Sequence, residues 1–170
     1  MLKKIIKPNG LEIETLKEGD GISPQAGQTV LIHYEVWLGN GTTSSEYDYD
    51  KKEYVDRIYD NTFDEKNPFS GPVEITIGES TPKDETYKKG QSVYGLDEAL
   101  LAMKVGGKCK VFIPSLLAYG NEGASSFHTF HGYRTPPNQS ILLNVELVGI
   151  KDKLKEKQEV KDSGPAYEGL

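Results

Sequence analysis

The clearest pattern in the chain is the alternation from Thr29 to Leu38. Val30, Ile32, Tyr34, Val36 and Leu38 fall on one side, and His33, Glu35 and Trp37 on the other. A period of two predicts a β-strand with one buried face. Asn40-Gly41 after it is a hairpin turn signal. Leu11 to Leu16 alternates in the same way and predicts an edge or half-buried strand, followed by a turn through Glu18-Gly19-Asp20-Gly21. Val73 to Ile77 predicts a short strand that stops at Gly78, Gly107 to Ile113 another, and Ile141 to Ile150 a closing strand with Ile141, Leu143, Val145 and Leu147 inward. One segment has the helical period instead. Leu96, Leu100 and Met103 predict a helix over Val93 to Val105. Asp97 and Glu98 in its early turns and Lys104 near its end match the helix dipole, and Gly106 is a natural stop.

Between these elements the chain is polar. Residues 42–60 carry Tyr47, Tyr49, Tyr54 and Tyr59 among six acidic side chains and read as an insertion, a hairpin arm. A lysine-rich loop spans Glu79 to Gln91, a tight turn Pro114 to Ala118, and a long loop Gly120 to Pro137. The division expected is an N-terminal extension (1–10), one domain (11–150, with the insertion at about 40–60) and a tail (151–170) forming a short helix or a mobile extension. About five strands and one helix predict an α+β fold, an antiparallel sheet wrapped over a single amphipathic helix.

Composition narrows the function classes. Hydrophobic residues make up 36% and charged residues 27%, as in ordinary globular chains. The net charge of −6 argues against a nucleic-acid partner. No apolar run approaches the ~20 residues of a membrane span. The stretch Met1 to Pro8 is too short in apolar residues for a signal peptide, so a cytoplasmic location is expected. Cys109 is the only cysteine; its alternation with Lys108 and Lys110 marks it as a small core residue.

Hydrolytic and metal chemistry find little support. Ser115 lacks the G-x-S-x-G context of a nucleophile elbow, and His33, His128 and His131 have no triad arrangement with it. His128 and His131 lack a third clear metal ligand. The acidic stretch from Glu46 to Asp60 lacks the spacing of a calcium loop. No metal or cofactor is expected.

Four segments carry a resemblance. They are Ile32-His33-Tyr34 with Phe63-Asp64 after the insertion; Val93-Tyr94-Gly95-Leu96-Asp97-Glu98-Ala99-Leu100; Ile113-Pro114-Ser115-Leu116-Leu117-Ala118-Tyr119-Gly120; and Pro136-Pro137-Asn138 ahead of Leu142 to Leu147. In this order, over roughly Gly10 to Ile150, they resemble the FKBP-type peptidyl-prolyl cis-trans isomerases. The resemblance implies a twisted antiparallel sheet half-wrapped around one helix, with an apolar pocket between them that binds Xaa-Pro bonds. It implies a catalytic set of Tyr34, Phe63, Asp64 and Tyr119: Tyr34 and Phe63 as walls, Asp64 and Tyr119 as the polar rim. It implies substrate contacts from Val73, Ser92, Leu143 and the floor residue Leu96, with the Val93 N–H offered to a peptide carbonyl. Phe127 and Phe130 in the long loop would supply further aromatic contacts. The partners implied are Xaa-Pro-containing polypeptides and, weakly, macrolide inhibitors.

This chain departs from the family at the floor, where tryptophan is frequent and Leu96 stands, and at Val73 and Leu143, where phenylalanine is common. A wider pocket follows from those changes. The second function class, motivated by the aromatic loop and the tyrosine-rich arm, is a module or chaperone that binds proline peptides or unfolded chains with little turnover.

Overall fold

The computed structural model describes residues 3–38, 45–48, 50, 53–56, 60–63, 71–80, 90–124 and 135–151; for residues 38, 45–48, 53–56, 60, 61, 80, 90 and 91 it describes the backbone alone. The strands are β1 (Lys4–Ile6), β2 (Glu12–Lys17), β3 (Thr29–Leu38), β4 (Ser45–Asp48), β5 (Glu53–Asp56), β6 (Asp60–Asn61), β7 (Val73–Ser80), β8 (Gly90–Ser92), β9 (Lys108–Ile113) and β10 (Ile141–Ile150), of which β2, β3, β7, β9 and β10 are the segments expected from the sequence. Eight of them make one sheet in the order β1-β2-β9-β10-β3-β7-β8, with the short β6 also beside β3. The sheet stays open. Its pairings are antiparallel except β7 with β8, which run parallel. Among the described residues β4 and β5 pair antiparallel with each other and with no strand of the large sheet.

Register explains the two faces. Ile13, Val111, Leu143 and Val36 stand opposite one another across β2, β9, β10 and β3, and all four are buried. Residues opposite one another in a ladder share a face, and neighbours along a strand take the other. The next row outward, Glu14, Lys110, Asn144 and Glu35, therefore faces away from the core. β3 follows the expected alternation, with Val30, Ile32, Tyr34 and Val36 buried and His33, Glu35 and Trp37 partly open.

The helix α1 (Tyr94–Leu101) lies on the buried face through Gly95, Leu96, Asp97, Ala99 and Leu100. Full burial of Leu96 and Leu100 contributes about 1.5–3 kcal/mol each. Gly95 sets how close α1 comes. A Cβ there would stand 2.5 Å from Ile113 Cγ2 and 3.2 Å from Leu117 Cβ, so any larger residue would push the helix off the end of β9.

Several boundaries differ from the sequence pattern, each for a tertiary reason. The helix ends at Leu101 and not at Val105, because after Met103, whose N–H still returns to Leu100 O, the backbone bonds elsewhere. Val105 N–H donates to Ile22 O, Gly21 N–H to Val105 O and Gly106 N–H to Leu147 O. Lys104 thus lies in the connection, outside the helix it was expected to end. Gly78 does not stop its strand. It takes φ +99° inside β7, where the β7–β8 register shifts. Residues expected as an N-terminal extension include the edge strand β1, and Lys7 and Asn9 reach α1 through hydrogen bonds of 2.9 and 3.0 Å to Glu98. The tail from 152 onward lies outside the described residues. No helix among the described residues is long and apolar enough to cross a membrane.

Candidate functional site

β3 carries Tyr34 into the space between sheet and helix, where it is 2% exposed. Its backbone is held by Thr62. Tyr34 N–H donates to Thr62 Oγ1 at 2.8 Å, and Thr62 N–H donates back to Tyr34 O at 3.0 Å. The sequence pattern gives no sign of this buried threonine, since its partner is 28 residues away.

Tyr34, Val93, Leu96, Tyr119 and Leu143 belong to one buried apolar cluster, and half-buried Val73 packs against it. Five elements deliver them, counting β3 for Tyr34. β7 begins at Val73 and β10 carries Leu143. Val93 is the N-cap of α1, extended at φ −110° and ψ 154°, and its carbonyl accepts from Leu96 and Asp97 N–H. Tyr119 follows a 3-10 turn at Ser115–Leu117. Gly120 closes that turn with its N–H on Ser115 O at 2.7 Å, at φ +65°, where glycine is at ease. Ala124 and Thr135 then bridge in both directions at 2.9 Å, pinning the base of the long loop beside Tyr119.

The structure separates two expected wall residues from this set. Phe63 stacks on His33, with ring centroids 4.7 Å apart and an interplanar angle of 26°. The His33 side chain stands on the face of β3 opposite to Tyr34, so Phe63 flanks the outer face of the sheet and is not a wall beside Tyr34. The turn after β6 sets this direction: Thr62 occupies the Tyr34 backbone, and the next side chain swings outward. Ser92 is buried as a wall residue would be, but its hydroxyl is turned onto Asp97, donating to Oδ1 at 2.6 Å. The other oxygen, Oδ2, accepts Gly78 N–H at 3.1 Å. Asp97, read from the sequence as a helix-dipole residue, is 4% exposed and serves as a buried junction. Asp64, Phe127 and Phe130 lie outside the described residues, as do His128 and His131.

Titration adds little reactive chemistry. Burial pushes the Cys109 thiol above its ordinary value, which disfavours the thiolate. Among the described residues no three His, Cys, Asp or Glu side chains group as metal ligands. A groove of about 240 Å³ does open on the outer face, lined by Leu16, Glu35, Phe63, Lys108, Asn144 and Glu146 among others. It lies across the sheet from the Tyr34 cluster. Asn144 Oδ1 is buried beside it without a hydrogen-bond partner.

A buried apolar cluster that holds Tyr34 and Tyr119 between one helix and an open antiparallel sheet is an arrangement to set beside known proteins. The chain is 33% identical over 141 residues to an FK506-binding protein of Neisseria meningitidis, covering 83% of this chain and 96% of that one. It is 27% identical over 145 residues to the peptidyl-prolyl cis-trans isomerase Mip of Coxiella burnetii, covering 85% of this chain and 46% of the relative. The solved peptidyl-prolyl cis-trans isomerase of Pseudomonas syringae pv. tomato superimposes with a TM-score of 0.57 at 21% identity, over 86% of this chain and 80% of that one, a likeness of fold. The profile of the FKBP-type peptidyl-prolyl cis-trans isomerases matches residues 21–148, a span that takes in the Tyr34 strand, α1, the Tyr119 turn and nearly all of β10. With that match over most of the chain and the relative at 33% identity, this chain belongs to the FKBP-type peptidyl-prolyl cis-trans isomerase family.

Proposed function

We propose that the chain catalyses prolyl isomerisation in folding polypeptides by taking the Xaa-Pro bond into the cleft lined by Tyr34, Val73, Val93, Leu96, Leu143 and Tyr119. The observation that carries this is the convergence of five of these residues, from four separate elements, in one buried apolar cluster, with Val73 packed against it. The barrier to rotation is the loss of amide resonance, about 18–20 kcal/mol. At its top the imide is twisted, its C–N bond is nearly single and its carbonyl less polar. An apolar cleft favours that species over the planar, more polar ground state, and a shape matched to the twisted ring adds to the preference. No covalent bond to the protein forms and no proton moves. Val93 N–H and the Tyr119 hydroxyl are suited to hold carbonyl groups of the peptide, and Asp64 to act at the rim. The cleft floor is aliphatic, so macrolides of the kind named in the bacterial relative would bind here weakly.

A turnover assay with Xaa-Pro peptides tests the proposal. The expected result is cis-to-trans conversion faster than in buffer, with a preference for an apolar residue before proline, and loss of that acceleration in Tyr34→Ala. Background-level turnover from folded protein, together with suppression of aggregation of an unfolded client, would replace it with the reading of a binding module.

A further inference from the structure

We infer that Asp97 and Ser92 are a pair of positioning residues for the cleft, acting through the elements they join. This rests on the proposed function. Asp97 sits in the first turn of α1, yet its carboxylate is spent on other elements. One oxygen accepts the Ser92 hydroxyl at the end of β8, and the other accepts the backbone N–H of Gly78 in β7. Ser92 Oγ also lies 3.3 Å from Val93 O, the carbonyl that starts the helix. Three cleft residues are carried by the three joined elements: Val73 opens β7, Val93 follows β8 directly, and Leu96 precedes Asp97 in α1.

The local backbone needs this tie. Val93 supplies no side-chain cap to α1, so nothing at the N-cap itself fixes the angle at which the helix leaves β8. β7 is irregular where it meets the pair, with Gly78 at φ +99° and a register shift between Ile75 and Ser80. A bulge weakens the ladder around it. The buried Ser92–Asp97 hydrogen bond, 2.6 Å long, supplies a restraint across this irregular stretch. The pair therefore sets the distance between the β7 and α1 walls, and with it the fit of a prolyl ring.

The test compares Ser92→Ala, Asp97→Asn, the double variant and Ser92→Thr, which keeps the hydroxyl, with the parent. All are assayed well below their thermal midpoints and checked for folding by near-ultraviolet circular dichroism. The expected result is a KM for an Xaa-Pro peptide raised about tenfold in Asp97→Asn, with kcat changed less than about twofold. The Ser92→Ala variant rises in the same direction, Ser92→Thr returns towards the parent, and the double variant is no worse than Asp97→Asn, as for two members of one coupled unit. The Val93 amide cross-peak should move in each impaired variant. Lower thermal midpoints with unchanged KM and an unmoved Val93 peak would reduce the pair to fold stability and overturn the inference alone. A parent that neither turns over nor binds the peptide would overturn the proposed function and this role with it.

Discussion

The rings of His33 and Phe63 stack with their centroids 4.7 Å apart on the side of β3 turned away from Tyr34. Their relation makes Phe63 a brace for the outer sheet face. A stacked pair of this kind contributes about 0.5–1.5 kcal/mol beyond burial. Phe63→Ala is predicted to lower stability in urea by that order while changing KM for a prolyl peptide much less than Tyr34→Ala does. A KM raised as far as in Tyr34→Ala would mean that the Phe63 ring works from the Tyr34 side of the strand.

The clasp between the N-terminal segment and the helix gives a pH-dependent term. Lys7 beside Glu98 holds that carboxyl below its ordinary value, against some desolvation, and Asn9 helps. A depressed folded pKa means that the unfolded chain takes up the proton first. The stabilisation is therefore complete above the ordinary glutamate pKa of about 4.3 and fades as pH falls through the lowered folded value. Glu98→Gln is predicted to lose up to about 1 kcal/mol at pH 7, in the range of exposed ion pairs. The difference from the parent should shrink towards zero in strong acid. A constant difference across pH would assign the loss to packing and not to charge.

Cys109 gives the opposite sign. Its raised pKa disfavours the thiolate in the folded chain. Stability is predicted to fall as pH rises past the free thiol value of about 8.5, where the unfolded chain ionises first. A thiol reagent at pH 8 should modify the folded chain at a rate set by opening of the structure. Modification as fast as that of a free thiol would place the sulfur at the surface.

What was legible in the sequence is what depends on neighbours along the chain. The alternation in β3 and β10 exposed both faces of the central strands, and the ordered motifs led to Tyr34, Leu96, Tyr119 and Leu143, which the structure gathers into one cluster. What was not legible depends on partners far away. β1 has three residues, too few for a period to show. The helix stops early because Val105 finds Ile22. Gly78 continues its strand because Asp97, 19 residues on, accepts its N–H. Phe63 turns outward because Thr62 has taken the Tyr34 backbone. Charge alone made Asp97 a dipole residue; only its neighbours make it a junction.

Leu96 offers the sharpest test of the cleft. It opens the apolar stripe of α1, has no exposed surface, and follows a glycine that brings the helix against Ile113. Two substitutions probe it from opposite sides. Leu96→Ala removes buried methyl groups and is predicted to cost about 2–5 kcal/mol, the range of such truncations. Leu96→Trp adds volume to a closed site, and overpacking typically costs about 1–3 kcal/mol. An indole that reaches the cleft also gains an aromatic face for the prolyl ring, tightening peptide binding by up to roughly 1 kcal/mol. Peptide affinity and thermal midpoint, measured on the same samples, separate the cases. Tighter binding with a modest stability loss makes Leu96 the floor. A stability collapse with no gain in affinity makes it a core residue turned away from the ligand, and the floor must then be sought at Leu143.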